Sequence, residues 1–167
     1  MMKVKSMIMT GLMMMSALIV SCSTLTTAER EAKKAERMAY VAKCLDSRHY
    51  VINVDMMLPR RGPSRTLPND WSLEVKGDTL VSYLPYFGVA YEPLFGDDKG
   101  LNFTSPIKTY EDKGFSKGKR SIHLQVNNSE DFIDYYVEVS DEGYAHIDVN
   151  PRKREGISFS GQMTGKE

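Results

Sequence analysis

The stretch SIHLQVNNSEDFIDYYVEVSDEGYAHIDVN, residues 121–150, decides the fold. Ile122, Leu124 and Val126 alternate with Ser121, His123, Gln125 and Asn127. Ile133, Tyr135, Val137 and Val139 alternate with Asp134, Tyr136 and Glu138, and Ala145, Ile147 and Val149 with Tyr144, His146, Asp148 and Asn150. A period of two puts one set on each face of a strand. The three-residue loop Asp141-Glu142-Gly143, whose glycine is free to take positive φ, pairs Val139 with Ala145, Val137 with Ile147 and Glu138 with His146. The loop 128–131 pairs Val126 with Ile133 and Leu124 with Tyr135. A slip of one residue would turn every apolar side chain to water, so these registers are tightly specified.

The same pattern extends outward. Ile157 and Phe159 begin a last strand. Upstream, Tyr50, Ile52, Val54 and Met56 alternate with Val51, Asn53, Asp55 and Met57 as a first strand. Gly77-Asp78 forms a two-residue hairpin that pairs Val75 with Leu80, Leu73 with Ser82 and Trp71 with Leu84. Leu101–Tyr110 is a further strand, bent or ended by Pro106. Hairpin follows hairpin with no room for helical crossovers. The expected fold is therefore mainly β, an antiparallel meander of about eight strands forming a barrel or strongly curved sheet over residues 48–167. Residues 28–47 lack Gly and Pro and are rich in Ala, Glu, Arg and Lys, which predicts one N-terminal helix. Ala35, Met38, Ala42 and Leu45, widened by Val41, form its apolar stripe. Residues 28–167 read as one folded unit.

The N-terminus carries Lys3 and Lys5, an uncharged and largely apolar run from Met7 to Val20, then Ser21-Cys22. A run this length falls short of the roughly 20 residues of a spanning helix and reads as a secretory signal, residues 1–21. Ile19-Val20-Ser21-Cys22 resembles a lipobox, which implies cleavage before Cys22, acylation of its thiol and anchoring in the lipid bilayer, with 22–27 as a polar tether. The expected location is the cell envelope, on the outer membrane facing the periplasm. The chain has 22 basic and 22 acidic residues, so loss of the two lysines leaves a charge of −2. That gives no concentrated basic surface for nucleic acid. Cys44 would be the sole cysteine besides Cys22, which rules out an internal disulfide and a cysteine-based zinc site.

Three groups of residues bear on function. The registers place His123, Tyr136 and Asp148 in one polar row and Ser121, Glu138 and His146 in the next. These are ordinary constituents of a solvated sheet face and also the materials of an acid–base or metal site. Arg60, Arg61 and Arg65 surround the turn Gly62-Pro63-Ser64; one would close on a neighbouring acid, or all would serve an anionic ligand. The segment 83–103 concentrates Tyr83, Tyr86, Phe87, Tyr91, Phe95 and Phe103. It either folds back as a lid over the core or presents a ligand surface. The candidate binding residues are Tyr86, Phe87, Tyr91, Phe95, Arg60, Arg61 and Arg65. No cofactor, metal ligand set or catalytic motif is expected. The reading is a non-catalytic envelope module for a protein or glycan partner; the alternative is an envelope- or glycan-directed enzyme using the His/Glu/Asp rows.

The segments Tyr50-Val-Ile-Asn-Val-Asp55, Arg61-Gly-Pro-Ser-Arg65, Leu80-Val-Ser-Tyr-Leu-Pro-Tyr-Phe-Gly88, Gly100-Leu-Asn-Phe103 and Ile157-Ser-Phe-Ser-Gly161 resemble domain of unknown function 4251. The resemblance covers roughly residues 30 to 163. It implies a lipoprotein of anaerobic gut bacteria with one β-rich domain, and it brings no activity, substrate or functional residue.

Overall fold

The computed structural model describes residues 27–68, 70–91 and 100–164. The expected signal peptide, the expected lipidation site Cys22, the expected tether before Thr27 and Phe95 lie outside them. One helix, α1 (Thr27–Asp46), precedes nine strands: β1 (His49–Pro59), β2 (Arg65–Thr66), β3 (Ser72–Lys76), β4 (Thr79–Leu84), β5 (Leu101–Ser116), β6 (Lys119–Asn127), β7 (Phe132–Ser140), β8 (Tyr144–Pro151) and β9 (Ile157–Thr164). Every pairing is antiparallel, in the order β2-β1-β3-β4-β5-β6-β7-β8-β9, and β1 also pairs with β9. Eight strands thus close into a barrel, and the two-residue β2 hangs on β1 outside it. Closure removes the exposed edges that an open sheet would carry.

The hairpin registers agree with the alternation. Val137 faces Ile147, Glu138 faces His146, Val126 faces Ile133 and Val75 faces Leu80. Gly143 takes φ of +89°, as the tight β7–β8 turn requires. Inward positions fill the barrel: Ile52, Val54, Leu73, Val75, Leu80, Leu84, Leu124, Tyr135, Ile147 and Phe159 are all buried. An interior of this width is packed by side chains rather than open. The Tyr135 hydroxyl, deep inside, donates to Ser82 Oγ at 3.2 Å, and burial raises its pKa well above the ordinary tyrosine value.

Three expectations are corrected. The β1 alternation breaks at Asp55, where the pairing with β9 steps from Val54↔Gly161 to Met56↔Ser160. This bulge inserts one residue and inverts the phase, so Met57 is buried and Met56 exposed. Gly161 makes the close approach possible, since a Cβ there would fall 2.1 Å from the Asn53 carbonyl oxygen. Next, the β3–β4 ladder stops at Ser72↔Tyr83; Trp71 gives its carbonyl to the Val54 N–H and stacks on Tyr83 at 4.8 Å rather than pairing with Leu84. Finally, Pro106 does not end its strand. β5 pairs with β4 up to Pro106 and with β6 from Ile107, and the Ser105 hydroxyl donates to Asn127 O beside the missing proline N–H.

A compact unit begins at Lys33, and Thr27–Ala32, the exposed start of α1, belongs to a separate one. From Lys33 onward α1 buries Val41 and Leu45; Met38 and Ala42 are half-buried, while Ala35 is exposed, so the apolar stripe is shorter than expected. Arg37 donates to the carbonyls of Glu142 and Met163, and Lys34 pairs with Glu142 at 2.7 Å, which ties α1 to the β7–β8 turn. Where α1 ends, Arg120 is gripped by Asp112 from β5 and by Asp46 at 2.6 Å. The hairpins β3–β4, β5–β6 and β7–β8 turn at this helix-bearing end of the barrel.

Candidate binding face at the opposite mouth

The opposite mouth is formed by the chain leaving β1, β4, β6 and β8. Its geometry starts from Asp131, buried in the β6–β7 loop, whose carboxylate accepts the N–H groups of Arg152 and Lys153, each at 3.1 Å. That fixes the turn 152–156 between β8 and β9. The segment after β4 then folds back onto this turn: Glu155 N–H donates to Val89 O at 2.9 Å, Tyr91 N–H donates to Lys153 O at 2.8 Å, and Ala90 bridges Arg154. Tyr86 locks the arrangement, donating its hydroxyl to Glu155 O at 2.9 Å, with Val89 O a second acceptor at 3.2 Å. Burial raises the Tyr86 pKa, opposed by the charge of Arg154.

Arg154 lies under Tyr86. It is 3% exposed, its guanidinium carbon is 5.0 Å from the Tyr86 ring centre, and Nη1 donates to Gly100 O at 3.2 Å. Its Nε has no hydrogen-bond partner among the described residues. The arginine loop after β1 meets the same turn from outside. Arg61 Nε lies 3.3 Å from the nearly buried Glu155 carboxylate, with the Arg61 side chain 80% exposed. Arg65 places its guanidinium carbon 4.0 Å from the Phe87 ring centre. Arg60 runs beside Gly156, where a Cβ would meet its Nε at 3.4 Å. Between these groups is a cleft of about 280 Å³ lined by Arg61, Tyr86, Phe87, Gly88, Val89 and Glu155.

Five of the seven candidate residues, Tyr86, Phe87, Arg60, Arg61 and Arg65, therefore gather around one turn. Tyr91 stands beside it with its ring 66% exposed, and Phe95 is outside the described residues. The aromatic segment divides its roles: Tyr86 packs down as a lid, whereas Phe87, Val89 and Tyr91 stay accessible. Arg154, Glu155 and Val89 were not legible as site residues. Capture of the run Arg152-Lys-Arg-Glu155 by Asp131 and residues 89–91 buries part of it.

The polar rows lie on the outer wall. His123 stacks on Tyr136 with ring centres 4.6 Å apart and shares a hydrogen bond with Asp134 at 2.9 Å; Glu111 lies 3.6 Å from its other ring nitrogen. His146 reaches Asp148 at 3.3 Å, and Ser158 donates to the same carboxylate. Each histidine is thus engaged by carboxylates of its own wall. No group of three or more His, Cys, Asp or Glu side chains able to hold a metal ion occurs among the described residues. Cys44 is half-buried beside the core and free.

Fold and site together define a class: a small antiparallel barrel, filled by its own side chains, with a helix at one mouth and an aromatic–arginine turn at the other. Within it, the chain belongs to the family Domain of unknown function (DUF4251), whose model matches residues 32–163. The structure is similar to the crystal structure of a DUF4251 family protein from Bacteroides eggerthii DSM 20697. The TM-score is 0.59 at 12% identity, covering 80% of this chain and 90% of that one. At that identity the likeness speaks for the fold alone. Curated proteins yield no match.

Proposed function

We propose that this chain is a lipid-anchored envelope protein whose barrel is a non-catalytic binding or scaffold module, and that the mouth around Arg61 and Phe87 is its binding face. One observation carries the binding reading. The arginine loop meets the aromatic segment through Arg65–Phe87 and the β8–β9 turn through Arg61–Glu155, so three stretches separate in sequence converge on the cleft. Concave surfaces with accessible rings and a few fixed polar groups are the usual form of a ligand site. The inward side chains of the barrel form one buried cluster, which leaves the mouth as the accessible concave surface considered for binding. Anchoring rests on the basic, apolar and Ser21-Cys22 succession at the N-terminus, with the outer membrane facing the periplasm as the proposed location.

Two measurements test the two halves. Cys22→Ala should leave the precursor unacylated and move the protein out of the membrane fraction; fatty-acid labelling and membrane retention in that variant would rule out the anchor. A photoreactive residue at position 87 should form adducts with envelope material. Adducts at wall position 136 and none at 87 would rule out this binding face.

A further inference from the structure

The chemistry of the cleft narrows what it takes. We propose that it binds an oxyanion (a carboxylate, sulfate or phosphate) carried on a single ring-sized group; this rests on the reading of the mouth as the binding face. The guanidinium of Arg65, on an exposed residue, has a ring face as its partner. Stacking holds its plane while leaving the donor edge open, so less side-chain freedom is lost when an anion docks. Arg61 touches Glu155 through Nε, and its side chain is 80% exposed, which suits the guanidinium edge to a forked contact.

Charge favours the same class. Arg60, Arg61, Arg65 and the buried Arg154 lie around the cleft with one carboxylate, Glu155, paired to Arg61, an excess of three positive charges among these five groups. Glu155 is already committed to Arg61 and cannot neutralise the rest. Arg154 supplies a fixed positive charge from low-dielectric surroundings beneath Tyr86, where its field is weakly screened. The volume of about 280 Å³ lies at the lower bound of small-molecule sites, roughly 300–1,000 Å³, so one ring fills it. Phe87 and Val89, 45% and 48% exposed, give that ring an apolar wall.

The test is calorimetric titration of the detergent-solubilised protein with D-glucuronate, D-glucose and inorganic sulfate, and flotation with phosphatidylglycerol or phosphatidylcholine vesicles. The latter uses the Cys22→Ala chain so that no anchor contributes. Glucuronate should bind and glucose should not, and raising the salt should weaken binding. Arg65→Gln should weaken it at least tenfold with an unchanged melting temperature. Arg61→Gln should do the same, but it strands the Glu155 carboxylate; if that variant melts early, Arg65→Gln decides. Co-flotation with phosphatidylglycerol alone would assign the oxyanion to a lipid headgroup and overturn the ring-sized carrier; binding of glucuronate would assign it to a free ligand, and binding of sulfate without glucuronate would likewise overturn the ring. Equal binding of glucuronate and glucose, or no binding of any of the anions, overturns the oxyanion proposal. Position-87 adducts that persist in that case leave the binding face itself standing.

Discussion

Arg65 lies over Phe87, its guanidinium carbon 4.0 Å from the ring centre, and joins the loop after β1 to the segment after β4. Neither side chain is core: Phe87 is 45% exposed and Arg65 is exposed. An exposed contact of this kind contributes about 0.5–1 kcal/mol. The contact holds an accessible ring and an exposed guanidinium side by side at the cleft, which is why it matters for function more than for folding.

Phe87→Ala should therefore lower the melting temperature by only about 2–4 °C, on the order of 1 kcal/mol for a domain of this size. Tyr86→Ala, which removes a half-buried ring and the hydroxyl bond to Glu155 O, should cost about 2–3 kcal/mol. Thermal unfolding of the two variants checks this. Equal, large losses would make Phe87 part of the core and undercut its role in binding.

The helix-bearing end predicts a pH dependence. Burial alone would raise the Asp112 carboxyl, but the hydrogen bonds and charge of Arg120, with the Gly114 N–H, outweigh it and leave its pKa below the ordinary value. A group depressed on folding stabilises above its unfolded pKa and loses that contribution as pH falls through the folded one. Asp112→Asn should flatten stability against pH below about 4. At neutral pH it should cost about 3 kcal/mol, because Arg120, itself 8% exposed, loses its main partner. Denaturant midpoints between pH 2 and 7 measure both effects; an unchanged acid limb would contradict the assignment.

Closure of the barrel at the β1 bulge predicts a steric effect. Gly161→Ala would drive a methyl to 2.1 Å from the Asn53 carbonyl, which side-chain rotation cannot relieve. The expected cost is about 3 kcal/mol or more, through a shift of β1 against β9. A variant as stable as the wild type, by chemical denaturation, would mean that β1 and β9 are not paired in this register.

The wall histidines should be dispensable for binding. His123→Ala removes the Tyr136 stack and the Asp134 contact, a loss of about 1 kcal/mol. Position-87 adducts should persist in this variant. Their disappearance would move the site from the mouth to the polar rows.

The hairpins were legible because each is set by a turn and an alternation a few residues apart. The β7–β8 register could be read from Asp141-Glu142-Gly143 alone. Closure by β1 and β9 was not, since nothing near Val54 announces Gly161 more than a hundred residues later, and Tyr50–Met57 alternates smoothly through the bulge. The same limit applies to the site. Arg60, Arg61, Arg65, Tyr86 and Phe87 stood out by local density, whereas Arg154 and Glu155 acquire their burial from Asp131 and residues 89–91, partners that only the fold brings near. Trp71 was misplaced for a related reason: alternation puts it opposite Leu84, but its carbonyl is taken by Val54 of β1, the strand on the other side of β3.

The most direct test of the central claim is photo-crosslinking in intact cells, with the reactive side chain placed in turn at Phe87, Tyr91, Tyr136 and Tyr144. All four are exposed, by 45%, 66%, 47% and 62%, so accessibility does not separate them. Adducts should form at 87 and 91 and not at wall positions 136 and 144, with the position-87 adduct lost in Arg65→Gln. Adducts spread evenly over all four, or confined to the wall, would contradict the claim.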